Sequence, residues 1–295
     1  AGSTARNMGV SPLIIGLTIV GFATSAPEIL VGSVAAWDGK TEMAIGNAIG
    51  SNITNIALVL GATVALIPIT VNSKTLRREY LFMLTAIVLA LLVLLDQTLS
   101  RIDAGILLLV MVLVTWVIII FSRRSKQTDL LLSELETELK SPLSVKMSVV
   151  WLVTGLVLLL SGAELLVRSA VIIAQAFGLS DLVIGLTIIA IGTSLPELAA
   201  SIMSVIKKEA ELAIGNIIGS NMYNMLAVLS IPALINPTGF ERAVLVRDYP
   251  VMLGLTLLMG WMVFIQGAGR FSRLEGLILL GCFFAYQFLL FKPAA

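Results

Sequence analysis

The sequence predicts an all-α polytopic membrane protein that is built from two inverted-topology repeats with proline-broken helices. Three observations support this prediction. Of the 295 residues, 58% are hydrophobic and only 13% are charged, and the mean hydropathy is +1.03. Several apolar runs have the length of about 17–25 residues with which a helix crosses a bilayer. One polar stretch occurs twice at a constant offset, and both copies interrupt apolar runs.

The composition also excludes several classes of protein and of site. The net charge of +1 gives no electrostatic case for a nucleic-acid partner. The chain has no histidine, so imidazole metal sites and histidine proton relays are excluded. Cys282 is the only cysteine and cannot form an internal disulfide. We expect the lipid bilayer as surroundings, no cofactor, and no obligate protein partner.

Nine spanning segments are predicted, and the loop charges orient them. The segments are 11–34, 43–70, 80–96, 102–122, 147–169, 180–204, 211–235, 246–266 and 274–291. Thirteen Lys and Arg residues lie at one set of segment ends and six at the other, so the first set should be cytoplasmic. This predicts a multi-pass protein of the plasma (inner) membrane, with the 123–146 linker in the cytoplasm and the C-terminus outside.

Two features outside the repeated stretch have open interpretations. Within the linker, Leu131, Leu135 and Leu139 fall at helical spacing, which fits a short surface helix, a partly helical solvated linker or a regulatory segment. Glu164 and Arg168 are four residues apart near the outer end of a span. Such a pair fits either an interfacial ion pair or a gating role.

The repeated stretch runs from Thr24 to Asn55 and again, 169 residues later, from Thr193 to Asn224. Each copy opens with T-S-x-P-E and closes with G-N-x-x-G-S-N-x-x-N. Aligning Pro12 to Leu60 with its second copy gives 22 identities in 49 positions, and the polar residues match best. The predicted topology makes the copies run in opposite directions, which is typical of secondary transporters with a midplane substrate site.

The repeat divides the chain into a first inverted repeat (1–122), the linker (123–146) and a second inverted repeat (147–295). The span 147–169 precedes the second copy, and its counterpart would lie before residue 1. A symmetrical protein would therefore have ten spans, and we expect that the first helix is missing from this chain; an authentic nine-span protein is the alternative.

Glu28 and Glu197 are the acidic residues placed deepest in apolar spans. An ionisable side chain at that depth normally faces a cavity and has a function, although a packing role is the alternative. The prolines one residue earlier should free the carbonyl oxygens of Ala23 and Gly192, and freed carbonyls at a helix break can bind cations. A simple kink satisfied by neighbouring hydroxyls is the alternative for the prolines.

The closing half of each copy is a polar stripe on one helix face. The two stripes are Asn47, Ser51 and Asn55, and Asn216, Ser220 and Asn224. Their four-residue spacing aligns each trio. The pairs Gly46/Gly50 and Gly215/Gly219 should allow close helix packing. Asn52 and Asn221 point elsewhere and are candidates for interhelical hydrogen bonds.

The combined donor set consists of oxygen atoms, which suit hard cations such as Ca²⁺ with about 6–8 oxygen ligands. Two glutamates could neutralise one Ca²⁺ or share Na⁺, and exchange follows if either ion must be bound before the protein changes its facing. A proton antiporter with the glutamates as carriers is an alternative. A channel is disfavoured by the inverted repeat. An intramembrane hydrolase is disfavoured because Ser25 and Ser194 have no nearby histidine or lysine.

With these motifs the chain resembles the cation/calcium exchanger superfamily, and most closely its prokaryotic sodium/calcium exchanger branch. The alpha repeats of that superfamily correspond to residues 21–60 and 190–229. The resemblance implies that Glu28 and Glu197 are the central ligands shared by Ca²⁺ and Na⁺. It also implies ten helices, the first and sixth of which slide outside the core, and 147–169 would be the sixth. The implied remaining ligands are Thr24, Ser25, Ser51, Asn55, Thr193, Ser194, Ser220 and Asn224.

The chain departs from the superfamily pattern at a few positions. Ala23 stands where the motif has glycine. Asn55 and Asn224 are neutral where some members carry aspartate, which leaves the potassium requirement and the Na⁺ to Ca²⁺ ratio open. Ser51 and Ser220 stand where the proton/calcium branch typically has an acid, which argues against H⁺. The implied function is a secondary active antiporter, not an enzyme, that exchanges Na⁺ for Ca²⁺; H⁺/Ca²⁺ or K⁺-dependent exchange is the alternative.

Overall fold

The computed structural model describes residues 14, 16–71, 73–124, 145–264 and 270–291. Nine helices make up most of this part. In chain order they are α1 (Gly16–Thr24 with Ala26–Trp37), α2 (Thr41–Leu66), α3 (Ser73–Leu94), α4 (Arg101–Arg124), α5 (Val145–Ala176), α6 (Asp181–Ile206), α7 (Ala210–Ile235), α8 (Val244–Phe264) and α9 (Arg273–Phe291). Each predicted span corresponds to one of these helices, although the boundaries shift.

The boundary shifts have local causes. The span predicted at 43–70 ends at Leu66, because Ile69 and Thr70 form a short strand. The span predicted at 147–169 continues to Ala176, because no residue in its last turns breaks the helix. Among the described residues, six helices are long and apolar enough to cross a membrane, and the bent α1 would make a seventh. The protein is therefore a helical multi-pass membrane protein, and the total of nine spans stays a prediction.

The predicted proline breaks are present in α1 and α6. In α1 the helix is interrupted at Ser25, with φ −80° and ψ 1°, and its two parts meet at 40°. Ser194 interrupts α6 with nearly the same angles, φ −83° and ψ 1°. Each proline stands in the first turn of the helix that follows. Proline is accepted there because the first turn needs no backbone donor.

The connectors pair in two short antiparallel ladders. Strand β1 (Ile69–Thr70) pairs with β4 (Arg270–Phe271), and β2 (Thr98–Leu99) pairs with β3 (Thr238–Gly239). Each ladder joins two loops that the predicted topology puts on the same side of the membrane. The alternation of the spans is consistent with these pairings, while the assignment of the cytoplasmic side stays a prediction.

The two repeats pack on each other through their glycines. The first part of α1 lies against α7, and the equivalent part of α6 lies against α2. A Cβ atom on Gly50 would come within 2.8 Å of Ala190 Cβ, and a Cβ on Gly219 would meet the backbone of Leu17. The predicted close packing at these glycines is confirmed. Exchanged contacts of this kind are what a twofold relation between two copies produces.

The repeat also extends beyond the stretch that the sequence analysis aligned. Arg78, Glu79 and Tyr80 in α3 recur 169 residues later as Arg247, Asp248 and Tyr249 in α8. The hydroxyl of Tyr80 donates to Thr256 O at 2.9 Å, and that of Tyr249 donates to Ile87 O at 2.5 Å. These two reciprocal bonds join α3 to α8 in the same twofold manner.

Helix α5 lies at the edge of the described structure. It contacts α6, and side chains such as Leu158, Leu165 and Ile172 are about 70% exposed. Residues 125–144 lie outside the described part, and so does the surface helix predicted around Leu131, Leu135 and Leu139. The side chain of Glu164 is outside it too, so its pairing with Arg168 stays a prediction.

Candidate functional site

Glu28 and Glu197, one from each repeat, are brought together in the interior of the protein. Both side chains are 0% exposed, and their carboxylates are close enough for the two charges to interact. None of the four carboxylate oxygens has a hydrogen-bond partner. The structure thus brings together the two residues that the sequence places 169 positions apart.

The break in α1 supplies a threonine to the half of the site that contains Glu197. Thr24 Oγ1 donates to Asn216 Oδ1 at 3.1 Å and lies 3.2 Å from Ser220 Oγ. Asn216 Nδ2 in turn donates to the backbone oxygen of Glu197 at 3.4 Å. The Thr24 and Ser220 hydroxyls neighbour the Glu197 carboxylate but make no well-formed hydrogen bond to it.

The break in α6 supplies the equivalent threonine to the half that contains Glu28. Thr193 Oγ1 donates to Asn47 Oδ1 at 3.2 Å, and Ser51 Oγ donates to the same atom at 3.3 Å. Asn47 Nδ2 donates to the backbone oxygen of Glu28 at 3.3 Å. Each half of the site is therefore built from both repeats, and neither repeat forms it alone.

Four further polar side chains of the repeated motifs are buried and have no hydrogen-bond partner. They are the hydroxyls of Ser25 and Ser194 and the amides of Asn55 and Asn224, all at most 1% exposed. Buried polar atoms in native proteins are nearly always hydrogen-bonded, so a concentration of unpartnered ones requires an explanation. In the described part of the chain, no three His, Cys, Asp or Glu side chains cluster in a metal-binding arrangement. The charged ligands available to a cation here are the two glutamates.

The prediction that Ala23 and Gly192 have free carbonyl oxygens is wrong. Each oxygen accepts a hydrogen bond from a backbone N–H at the helix break, because the chain closes a tighter turn there. A carbonyl oxygen has two lone pairs, so it can still accept a second contact. The backbone oxygen of Gly21, which is not among the predicted ligands, accepts a hydrogen bond of 3.4 Å from Ser220 Oγ.

The expectation that Asn52 and Asn221 bond between helices is also wrong. Asn221 Nδ2 donates within its own helix to Ile217 O at 2.9 Å, and the Asn52 amide has no partner.

Asn47 and Asn216 belong to the two polar stripes of the sequence but are not among the predicted ligands. In the structure these two asparagines hold the site together, since each side-chain amide bonds the backbone oxygen of a glutamate and the hydroxyl of a threonine from the other repeat. Their four-residue spacing from Ser51 and Ser220 was the signal that could have identified them. Glu79 and Asp248 are a second pair of buried acidic residues at the offset of 169, and each forms an ion pair with the arginine that precedes it.

Comparison with known proteins identifies the family. The sequence model of the family described as "Sodium/calcium exchanger protein" matches residues 1–120 and 147–292. The chain belongs to the sodium/calcium exchanger family. It is 49% identical to "Putative antiporter CaxA" of Alkalimonas amylolytica over 293 residues, which cover 99% of this chain and 92% of that protein. It is 39% identical to the inner membrane protein YrbG of Escherichia coli, with coverage of 99% and 90%.

Other members of the family carry more specific names. The chain is 37% identical to the sodium/calcium exchanger MaX1 of Methanosarcina acetivorans over 89 residues, which cover 30% of this chain and 25% of that protein. It also superimposes on the sodium-calcium exchanger NCX_Mj, soaked with Na⁺ and Ca²⁺, with a TM-score of 0.78 and 31% identity. That match covers 99% of this chain and 90% of NCX_Mj. The protein is therefore a cation/Ca²⁺ antiporter, a secondary transporter rather than an enzyme.

Proposed function

We propose that the protein exchanges Na⁺ for Ca²⁺ by alternating access, with the transported ions bound between Glu28 and Glu197. One observation carries this proposal: both carboxylates are fully buried, and none of their oxygens has a hydrogen-bond partner. Unpaired carboxylates in a protein interior are strongly unfavourable. A bound cation removes this cost, because it supplies the opposite charge and takes the oxygens as ligands.

The surrounding oxygens complete the coordination shell in this proposal. Ca²⁺ takes about 6–8 oxygen ligands in flexible geometry. The hydroxyls of Thr193, Thr24 and Ser220 neighbour the two glutamates and are available as such ligands. Carbonyl oxygens at the two helix breaks add to them. The proposed ligands are Glu28, Glu197, Thr24, Ser25, Ser51, Asn55, Thr193, Ser194, Ser220 and Asn224, with backbone oxygens of Ala23 and Gly192.

Exchange follows from the charge of the site. Two carboxylates carry two negative charges, which one Ca²⁺ or two Na⁺ ions neutralise. Because both ions need the same ligands, they compete for the site. If the protein cannot change its facing while the two buried carboxylates have no bound cation, each change of facing must carry either Ca²⁺ or Na⁺. The peripheral position of α5 supports its assignment as a helix that moves during this change.

Na⁺ is the counter-ion in the names of two relatives, MaX1 and NCX_Mj, which are both sodium/calcium exchangers, and this supports Na⁺ as the counter-ion here. We also propose the plasma (inner) membrane as the location, with the 123–146 linker inside and the C-terminus outside. The name of the Escherichia coli relative and the excess of basic residues at one set of loops support this location and orientation.

The proposal predicts that Glu28→Gln and Glu197→Gln each abolish transport, because either change removes half of the negative charge. The measurement is uptake of radiolabelled Ca²⁺ into proteoliposomes loaded with Na⁺. Uptake by the parent protein should require internal Na⁺. Uptake that ignores Na⁺ but follows a pH gradient would instead make the protein an H⁺/Ca²⁺ antiporter, and a need for added K⁺ would identify K⁺-dependent exchange.

Glu275→Gln is a matched control for the loss of a buried glutamate. Glu275 is 4% exposed and accepts a hydrogen bond from Ser272 N at the start of α9, away from the site. Glutamine is also accepted at this position of a helix capping box, so transport should be retained. If Glu28→Gln and Glu197→Gln transport like Glu275→Gln, the proposed site is wrong.

A further inference from the structure

The two halves of the candidate site differ at one buried position, which is Ser201 in the second repeat and Gly32 in the first. Ser201 lies in α6 about one turn after Glu197 and is 0% exposed. Its Oγ accepts a hydrogen bond of 3.2 Å from Asn216 Nδ2. Gly32 has no side chain with which to make the equivalent bond to Asn47.

This difference changes how firmly the two organising amides are held. Asn216 Nδ2 donates to two acceptors, Glu197 O at 3.4 Å and Ser201 Oγ at 3.2 Å. For Asn47 Nδ2 the described contact is a single one, to Glu28 O at 3.3 Å. A primary amide has two N–H donors, so Asn216 cannot rotate or flip without losing both bonds.

The neighbouring helix differs in a matching way. A Cβ atom on Gly32 would lie 3.1 Å from the ring of Pro232, so the first repeat has little room for a serine there. The residue that corresponds to Pro232 in the other repeat is Thr63, which is buried and has an unpartnered hydroxyl. At these two positions the second half of the site thus has the polar residues Ser201 and Thr63, where the first half has Gly32 and Pro232.

We propose that Ser201 is a positioning residue that sets the cation affinity of the Glu197 half of the site. By fixing the Asn216 amide, it aims Asn216 Oδ1 at Thr24 Oγ1, and Thr24 neighbours the Glu197 carboxylate. A ligand shell that is already ordered loses less conformational freedom when it binds an ion. The inference rests on the proposed function, since it assigns Ser201 a role in holding the transported Ca²⁺.

Ser201→Ala tests this role in the full chain reconstituted in proteoliposomes. Loss of one acceptor should raise the Ca²⁺ concentration for half-maximal uptake about 3–10-fold, with the maximal rate unchanged. Ser201→Cys should raise it too, because the thiol leaves no cavity at this position but its sulfur accepts hydrogen bonds weakly. A role in packing alone would leave Ser201→Cys with the affinity of the parent, and that result would overturn the inference.

Ser204→Ala is the matched control in the same helix. The hydroxyl of Ser204 donates to Ala200 O at 2.7 Å and serves its own helix. The half-maximal Ca²⁺ concentration should stay at the parent value. An increase no larger in Ser201→Ala than in Ser204→Ala would contradict the proposal.

A double-mutant cycle tests the path through Asn216 to Thr24. If Ser201 acts through Thr24, Ser201→Ala should change affinity less when combined with Thr24→Val than when combined with Thr193→Val. Equal effects of Ser201→Ala in both backgrounds would mean that Ser201 does not act through Asn216 and Thr24.

Titration of Ca²⁺ into the detergent-solubilised protein separates this inference from the proposed function. If the parent protein and Ser201→Ala bind Ca²⁺ with the same affinity, the inference about Ser201 is overturned and the proposed function is not. Uptake driven by H⁺ instead of Na⁺ overturns the proposed counter-ion, while the Ser201 comparison is still made under that gradient. A parent that binds no Ca²⁺ overturns both.

Discussion

The hydroxyls of Thr24 and Thr193 occupy equivalent places, each donating to an asparagine oxygen of the other repeat. Valine has nearly the shape of threonine but no hydroxyl. Thr24→Val therefore leaves the buried Asn216 Oδ1 without the donor described for it, which costs about 1–3 kcal/mol. Thr193→Val leaves Asn47 Oδ1 with one donor, Ser51 Oγ, instead of two. Each change also removes one hydroxyl oxygen from the neighbourhood of a carboxylate.

We expect Thr24→Val and Thr193→Val each to weaken the apparent Ca²⁺ affinity about tenfold, which corresponds to ~1.4 kcal/mol. The half-maximal Ca²⁺ concentration of uptake measures this change. Thr85→Val is the control, since the Thr85 hydroxyl donates to Leu81 O in its own helix and lies away from the site. Similar affinities for all three variants would mean that the threonines do not support the ion site.

At the scale of single elements, the close contact of α2 with α6 depends on glycine. A Cβ atom on Gly50 would lie 2.7 Å from Leu186 O and 2.8 Å from Ala190 Cβ, and no flexible side-chain end could move aside. By contrast, a Cβ on Gly105 in α4 would meet nothing within 4 Å. The same chemical change should therefore have opposite consequences in the two helices.

Gly50→Ala should destabilise the protein by about 1–3 kcal/mol, because the added methyl group forces the two helices apart. Gly105→Ala should leave stability unchanged or raise it by up to about 1 kcal/mol, since alanine favours the helix. Thermal unfolding of the purified variants in detergent, followed by tryptophan fluorescence, compares them. Equal unfolding midpoints would contradict the close approach of α2 and α6.

At the scale of the whole molecule, inversion of the repeats makes a direct prediction about membrane sidedness. Asp38 lies in the exposed turn after α1, and Lys207, 169 residues later, lies in the exposed turn after α6. Equivalent positions of inverted repeats belong on opposite faces of the membrane. In the predicted orientation, Asp38 is outside and Lys207 is inside.

Single cysteines at these two positions, in a Cys282→Ala background, test the orientation with a membrane-impermeant maleimide. Intact cells should label Asp38→Cys, and Lys207→Cys should react only after the membrane is permeabilised. Labelling of both from outside would contradict the inversion. Labelling of Lys207→Cys alone would reverse the predicted orientation.

The sequence by itself determined the membrane class, the proline breaks and the two central glutamates. These features depend on local chemistry: apolar length specifies a span, proline removes a backbone donor, and a carboxylate deep in a span has few structural uses. The repeat then identified the same residues a second time. For that reason, most candidate ligands could be named before any coordinates were known.

Only the tertiary structure decided which repeat supplies which half of the site. The offset of 169 cannot reveal that Thr24 meets Asn216 and Thr193 meets Asn47, because hydrogen bonds between distant segments depend on how helices cross. The prediction for the carbonyl oxygens of Ala23 and Gly192 was wrong for a related reason. A backbone N–H in the turn at the helix break donates to each of them, and the sequence does not show the conformation of that turn. The sequence shows that Ser201 and Gly32 differ, but only the structure shows that Ser201 Oγ lies 3.2 Å from Asn216 Nδ2. The effect of a side chain depends on the groups that the fold places within hydrogen-bond distance of it.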